Sequence, residues 1–417
     1  MSSSSRTAPG KSTRSARGTR QSAPQAPSSR ASAIVARLDL GNLLRAESRV
    51  FYTILSTTLL LVVIGLVMVL SASSIWSHLD NDGFFGRFNR QLLFAGLGVP
   101  VMLIFSRFRV FFWKKWAARF LVFVIFIQLL VFSPLGVSSG GNRNWINVGG
   151  FNFQPSEFLK LAIALWLGLS LPKFMAKIGD HWKVLQPLVL TIIAIGLVLF
   201  GQDLGTSIIL FLVIIGCLIY AGISWRHIFI PILGAVLAFL AMAVFSPNRV
   251  SRILTFFSNN CAIDANAASL SWCWQPLHGT WAMASGGIFG VGLGNSKAKW
   301  TWLPASDNDY IFAIIGEELG LIGCLVVIAL LVVLTISFLK VIHDAKDPFI
   351  RIATGGIMMW IIGQAFVNIA VVLGLLPVLG VPLPFISSGG TALFAALVGV
   401  GVVLSFAHEN ELTVKTR

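Results

Sequence analysis

Two clusters of charged side chains stand where an apolar chain has least reason to carry them. The first, GGNRNWINVGGFNFQPSEFLK, sets Arg143 and Trp145 ahead of Glu157 and Lys160. Glu157 and Lys160 are three residues apart, so on a helix they are neighbours on one face. Glu157 suits a first turn opened by Pro155, where the helix dipole favours an acid, but that does not account for a lysine one step further into an apolar run. Such a pair is either a structural salt bridge or the floor of a polar pocket for an anionic, lipid-linked ligand, with Arg143 and Trp145 at its mouth.

The second cluster, KWTWLPASDNDYIFAIIGEELG, holds four acids. Asp307 and Asp309 fall at the outer edge of the apolar run that follows, and Glu317 and Glu318 about two turns deeper. Adjacent helical residues point about 100° apart, so at most one of Glu317 and Glu318 should face a given pocket, and either can partner a base on another helix. Asp309, at the mouth beside Trp302 and Tyr310, is placed for acid or base work; the alternative is a solvated loop-end acid that caps the helix. Asp307, two residues away and expected to be similarly exposed, is its natural control.

Three further features carry weaker signals. Gly201, Gln202 and Asp203 alone separate two apolar runs, so Asp203 either faces a wet cavity or caps the next helix through Gly205 and Thr206. The stretch GLLPVLGVPLPFISSGGTALF puts Pro384, Ser387 and Ser388 in non-helical backbone at the mouth of the last apolar run, which survives only against protein or a wet cavity. The six His are scattered without ligand spacing, and there is no P-loop, GxSxG elbow or Rossmann glycine pattern, which argues against an ATP-driven pump.

The elements that must position these residues are membrane helices. The chain of 417 residues is 56% hydrophobic and 11% charged, too little charge to cover a soluble domain. Apolar runs at Phe51–Leu70, Leu92–Phe105, Phe120–Phe132, Phe158–Leu171, Leu185–Phe200, Leu204–Tyr220, Ile228–Phe245, Tyr310–Leu339, Ile352–Leu373 and Ala392–Ala407 make ten spans. Lys and Arg support this count independently, because with a cytoplasmic N-terminus they concentrate on the inner side and leave only Arg87, Arg90 and Arg143 in the short outer loops. The net charge of +15 is thus explained by membrane topology and needs no nucleic acid. The expected fold is an all-α polytopic membrane protein of about ten transmembrane helices with a long outer loop between spans 7 and 8.

Residues 1–50, rich in Ser, Arg, Ala and Pro, read as a disordered basic cytoplasmic tail, 51–408 as the membrane domain and 409–417 as a short cytoplasmic tail. Within the long outer loop, 246–309, Gly279–Leu293 is too short and Gly-rich for a span and reads as re-entrant or surface-lying. Cys217 and Cys324 lie inside spans as packing residues, whereas Cys261 and Cys273 flank a polar stretch in an oxidising location that permits a disulfide.

As a set, WINVGGFNFQPSEFLKLA, DLGTSIIL, ASGGIFGVGLGNSKAKWTWLP, DNDYIFAIIGEELGLIG and LLPVLGVPLPFISSGGTALF resemble the SEDS family (shape, elongation, division and sporulation) of peptidoglycan polymerases. The match runs from Arg90 to about Phe406 in the family order, and GLGNSKAKWTWLP and IFAIIGEELG are more similar to its cell-division branch than to its elongation branch. The resemblance implies a glycosyltransferase that joins lipid II units into glycan strands at the outer face of the cytoplasmic membrane. It implies a class B penicillin-binding protein and other divisome membrane proteins as partners, both termini in the cytoplasm, and a place at the division septum. It puts the family's essential acid on Asp309, and a substrate pocket on Arg143, Trp145, Glu157 and Lys160, with Asp203, Glu318, Pro384, Ser387 and Ser388 around it. Lys160, Arg143 or a divalent cation such as Mg or Mn would stabilise the departing diphosphate; which metal, if any, is left open. Rival readings are a lipid II flippase, an elongation-type polymerase and a non-catalytic scaffold for the transpeptidase. The chain departs from the family pattern at Gln202, where Pro is usual, and at Asp307-Asn308-Asp309, where His-Thr-Asp is usual.

Overall fold

The computed structural model describes residues 48–79, 83–139, 142–149, 151–175, 185–224, 229, 233–234 and 271–415. The tail, the expected span at 228–245 and the first part of the long outer loop, with Cys261, therefore lie outside the described residues, apart from isolated positions. The helices are α1 (Arg49–Leu79), α2 (Gly86–Phe105), α3 (Val110–Leu130), α4 (Pro155–Met175), α5 (Leu185–Phe200), α6 (Leu204–Tyr220), α7 (Ser271–Gly286), α8 (Ile311–Asp344), α9 (Pro348–Val372) and α10 (Gly390–Lys415). Each of the other nine expected spans falls on one of these helices. α1, α2, α8, α9 and the Gly390–Glu411 part of α10 are long and apolar enough to cross a membrane.

α9 and α10 are central, with most of their apolar side chains buried, while α2 and α8 lie at the periphery. The outward side chains of the peripheral helices are apolar, among them Leu93 and Leu97 on α2 and Leu321, Leu325 and Ile336 on α8. A helix that is hydrophobic all round needs hydrocarbon on its free face. The chain is a multi-pass membrane protein.

The all-helical expectation misses one element. Between α3 and α4 the chain forms a three-stranded antiparallel sheet, β1 (Gly136–Ser139), β2 (Asn142–Val148) and β3 (Phe151–Phe153), in the order β1-β2-β3. Its central strand alternates as a strand must: Asn144 and Ile146 are buried and Arg143 is exposed. Buried Asn144 accepts from Gln128 of α3 and donates to Asp203 at 2.7 Å, which ties the sheet to the turn between α5 and α6.

α8 is interrupted at Gly320, whose φ of 68° and ψ of −166° are outside helical space. The loop after α7 fills the break. Val291 and Gly292 N–H donate to the carbonyls of Glu317 and Glu318, and Leu321 and Ile322 N–H donate to those of Gly287 and Ile288. Gly320 is nine residues into α8, roughly 14 Å from its outer end. Irregular backbone at that depth is tolerated only when its polar groups are satisfied, and here each strand of the break satisfies the other. The segment Gly279–Leu293 is thus part helix, through Gly286, and part inserted loop, with Ile288, Phe289 and Leu293 outward. A Cβ on Gly290 would lie 2.2 Å from the Glu318 carbonyl oxygen. Gly290→Ala should therefore destabilise the protein by about 1–3 kcal/mol, read as a lower thermal transition in detergent.

Cys217 and Cys324 are free and buried, and Cys273 in α7 is buried and disulfide-bonded. We expect Cys261 and Cys273 to resist alkylation until a reductant is added; full labelling of both without reductant would contradict the pairing.

Candidate active site

α2 enters the fold with Arg87, Arg90, Gln91 and Phe94 at helical spacing, so the four share a face. That face forms one wall of a cavity of about 500 Å³, a size typical of small-molecule sites; the sequence topology puts it on the outer side, which makes it the outer cavity. Trp76 of α1, Trp145 of β2 and Asn152 of β3 line it, with Asp307 and Asn308 opposite and Ser388, Gly389, Gly390 and Thr391 at the start of α10. Arg87 Nη1 donates to both carboxylate oxygens of Asp307, at 3.0 and 2.9 Å.

The segment carrying Asp307 to Asp309 is held along its length. Ser388 N–H donates to the Asp307 carbonyl at 2.8 Å. Ser387 Oγ donates to that of Asn308 at 2.6 Å, and Asn368 Nδ2 to that of Asp309 at 2.8 Å. Gln91 closes the clamp by donating to the Ser387 carbonyl and accepting from Gly389 N–H. α7 braces the same segment from behind, where Trp274 Nε1 and Gln275 Nε2 donate to the carbonyls of Trp302 and Pro304.

The structure separates the acids that the sequence groups together. Asp307 is 2% exposed and ion-paired, so it is no solvated control for Asp309. Asp309 is half-buried, with Oδ2 3.7 Å from the position a Cβ on Gly380 would take. It does not cap α8, whose N-cap is Tyr310 with no side-chain cap bond. It directly follows Asn308 of the cavity wall and faces the turn at 379–381.

Glu317 and Glu318 do not divide between pockets as their 100° separation suggests. One loop receives both. Glu317 accepts from Ser296 Oγ and Lys297 N–H, while Glu318 accepts from Ser71 Oγ at 2.7 Å and pairs with Lys299 at 3.1 Å. The loop that fills the α8 break wraps the helix and brings donors to two of its faces. Glu318 is thereby in a buried ion pair, apart from the outer cavity.

Glu157 and Lys160 form the neighbouring pair expected of them, at 2.6 Å and 2% and 1% exposed. Lys160 Nζ also donates to Gln364 Oε1 at 2.9 Å, and Gln364 Nε2 donates to the Pro382 carbonyl. Gln364 and Asn368, one turn apart on α9, thus hold the 381–382 backbone, since Asn368 Nδ2 also donates to Val381. Beside the pair, Glu157, Pro384 and Ser387 line a cavity of about 10 Å³, room for about one water. This is a buried network next to the larger cavity, joined to its wall through Ser387, which bonds Asn308 and Gln91.

Arg143 and Asp203 have structural occupations. Arg143 Nε and Nη2 donate to the carbonyls of Val131 and Ser133 at the end of α3. Asp203 caps α6 by accepting from Thr206 N–H and Oγ1, and also accepts from Asn144 and Gln154. Arg87, Arg90, Gln91, Gln364, Asn368 and Lys299 were missed as site residues. For the first two a signal existed: they are basic residues in a loop that the charge pattern assigns to the outer side, against the bias of the rest of the chain.

The fold and site define a helical, multi-pass membrane protein with a polar cavity lined by Arg87, Arg90 and Asp307. The chain belongs to the Cell cycle protein family designated by FtsW, RodA and SpoVE, whose profile matches residues 52–412. It is 35% identical over 372 residues to a probable peptidoglycan glycosyltransferase FtsW of Mycobacterium tuberculosis, covering 88% of this chain and 70% of that one. It is 35% identical over 354 residues to stage V sporulation protein E of Bacillus subtilis, covering 84% of this chain and 95% of that one. Among solved structures, the rod shape determining protein RodA of Thermus thermophilus shares the fold with a TM-score of 0.65 at 22% identity, over 88% of this chain and 99% of that one. A chain of a peptidoglycan synthase complex gives 0.69 at the same identity and coverage.

Proposed function

We propose that this chain is a peptidoglycan glycosyltransferase that polymerises lipid II into glycan strands during cell division. It would work at the outer face of the cytoplasmic membrane, with both termini inside, at the septum. Support comes from the relatives named as such glycosyltransferases. The observation that carries the reading is the outer cavity, where Arg87 and Arg90 face the start of α10 beside the Asp307 to Asp309 segment.

The chemistry asks for two things. The 4-hydroxyl of the acceptor sugar forms the new bond to the donor's anomeric carbon as that carbon's bond to the lipid diphosphate breaks, and the hydroxyl proton must go to a base. Asp309 takes it, a role worth typically about 10²–10⁴-fold. The diphosphate leaves with negative charge, and cations held in a low-dielectric site stabilise it. Arg143 and Lys160 are engaged elsewhere, so this role passes to Arg87 and Arg90. Among the described residues no three His, Cys, Asp or Glu side chains converge to hold a metal.

A class B penicillin-binding protein would cross-link the strands, a pairing consistent with a structural neighbour described as coordinating polymerization and crosslinking. The test is purified protein with labelled lipid II in detergent, with and without that transpeptidase. Flipping has no meaning in a micelle, so glycan strands are the expected product of a polymerase, while a flippase or scaffold leaves lipid II unchanged.

A further inference from the structure

We propose that Asp307 is a positioning residue for an anion site on α2: its carboxylate holds the Arg87 guanidinium at the outer cavity, where Arg87 receives the diphosphate of a lipid-linked sugar. The polymerase reading supplies the identity of that ligand; the site itself stands on geometry.

Arg87 and Arg90 lie in the first turns of α2, where the helix dipole opposes positive charge. A buried carboxylate brought there from a distant part of the chain compensates Arg87 directly. Asp307 does this with its side chain 3% exposed, whereas the Arg87 side chain is 29% exposed and lines the cavity. The acid is covered and the base faces the opening. Nor is the acid on loose chain, because Ser388 N–H fixes its carbonyl and Gln91, one turn after Arg87, fixes Ser387 and Gly389. Ion pair and clamp together join α2, the Asp307 segment and the start of α10.

Among the described residues of the cavity wall, two guanidinium groups and the N-terminal ends of α2 and α10 come together, a setting suited to an anion. A guanidinium has five donors in a planar fork, so an arginine whose Nη1 is bound to a carboxylate keeps its shape and orientation for phosphate oxygens. Asp307 therefore acts through Arg87 and need not touch the ligand.

The test uses the purified full chain in detergent with inorganic diphosphate as the probe, followed by tryptophan fluorescence, since Trp76 and Trp145 line the cavity. Wild type should bind saturably. Asp307→Asn and Arg87→Gln should each weaken binding by at least about tenfold, the size expected for a charge-assisted hydrogen bond. The double variant should be no weaker than Arg87→Gln alone, and Asp307→Glu, which keeps the charge, should recover part of the affinity. In polymerisation, Asp307→Asn should raise KM for lipid II by a similar factor with a smaller change in kcat. Thermal melts separate loss of the site from loss of the fold, and Asp307→Glu serves if the amide does not fold.

Diphosphate binding that is absent from wild type, or indifferent to residues 87 and 307, or lost additively in the double variant, overturns the proposal. If wild type then still makes glycan, the polymerase reading survives that failure. If binding follows the ion pair but no glycan forms, the site stands and the polymerase reading fails.

Discussion

Asp309→Asn should abolish glycan polymerisation, by at least about 10²-fold, in a protein that inserts and melts normally. The amide keeps the size and most of the hydrogen bonding of the carboxylate but cannot accept a proton from a sugar hydroxyl. By spacing alone Asp309 could instead cap the helix, a role that would tolerate Asn. The structure removes it, because α8 has Tyr310 as its N-cap with no side-chain cap bond. The backbone of Asp309 is held through its carbonyl by Asn368, a bond that the substitution leaves alone. Fold and chemistry should therefore separate cleanly in this variant. Polymerisation rate and melting transition, measured on the same preparation, decide the matter; normal turnover would mean that another group is the base. Asp307→Asn is not a neutral control, since it breaks the ion pair with Arg87.

Lys160→Met should give the largest loss of stability among the substitutions considered. It strands the Glu157 carboxylate at 2% exposure without its cation, and breaking a buried pair by removing one partner costs about 3–5 kcal/mol. Replacing both members, Lys160→Met with Glu157→Gln, should recover most of the thermal transition because no buried charge is left over. Activity should not recover with it. Lys160 also donates to Gln364, which holds the Pro382 carbonyl and so the backbone leading to Ser387 and Ser388. A methionine supplies no donor there, and we expect polymerisation at least about tenfold below wild type. A single Lys160→Met variant that melts like wild type would show that the pair is not buried in the working protein.

The residues called for a site divided according to how far their partners lie along the chain. Glu157 and Lys160 were legible as a pair because helical spacing alone makes them neighbours. Asp203 was legible as a cap because its acceptors' partner, Thr206, is three residues on. Arg143 was not placed correctly, since its position depends on β2, a strand of seven residues in a chain read as all helix. Once strand alternation turns Asn144 inward, Arg143 must face outward, toward the carbonyls at the end of α3. Glu318 looked like a ligand group because its base, Lys299, sits in a loop whose docking into the Gly320 break has no local signature.

By itself the sequence determined the membrane class, most of the helices and the family. These follow from hydrocarbon thickness, which demands long apolar runs, and from motifs whose residues are close in the chain. Tertiary structure alone decided which polar groups share a cavity. Arg87 meets Asp307, Gln91 meets Ser387 and Gly389, and Gln364 and Asn368 hold the loop before α10. Each of these side chains follows a rule of local spacing on its own helix. Which side chain it finds opposite is set by how the helices pack, because a buried polar group must take whatever partner the packing brings within reach.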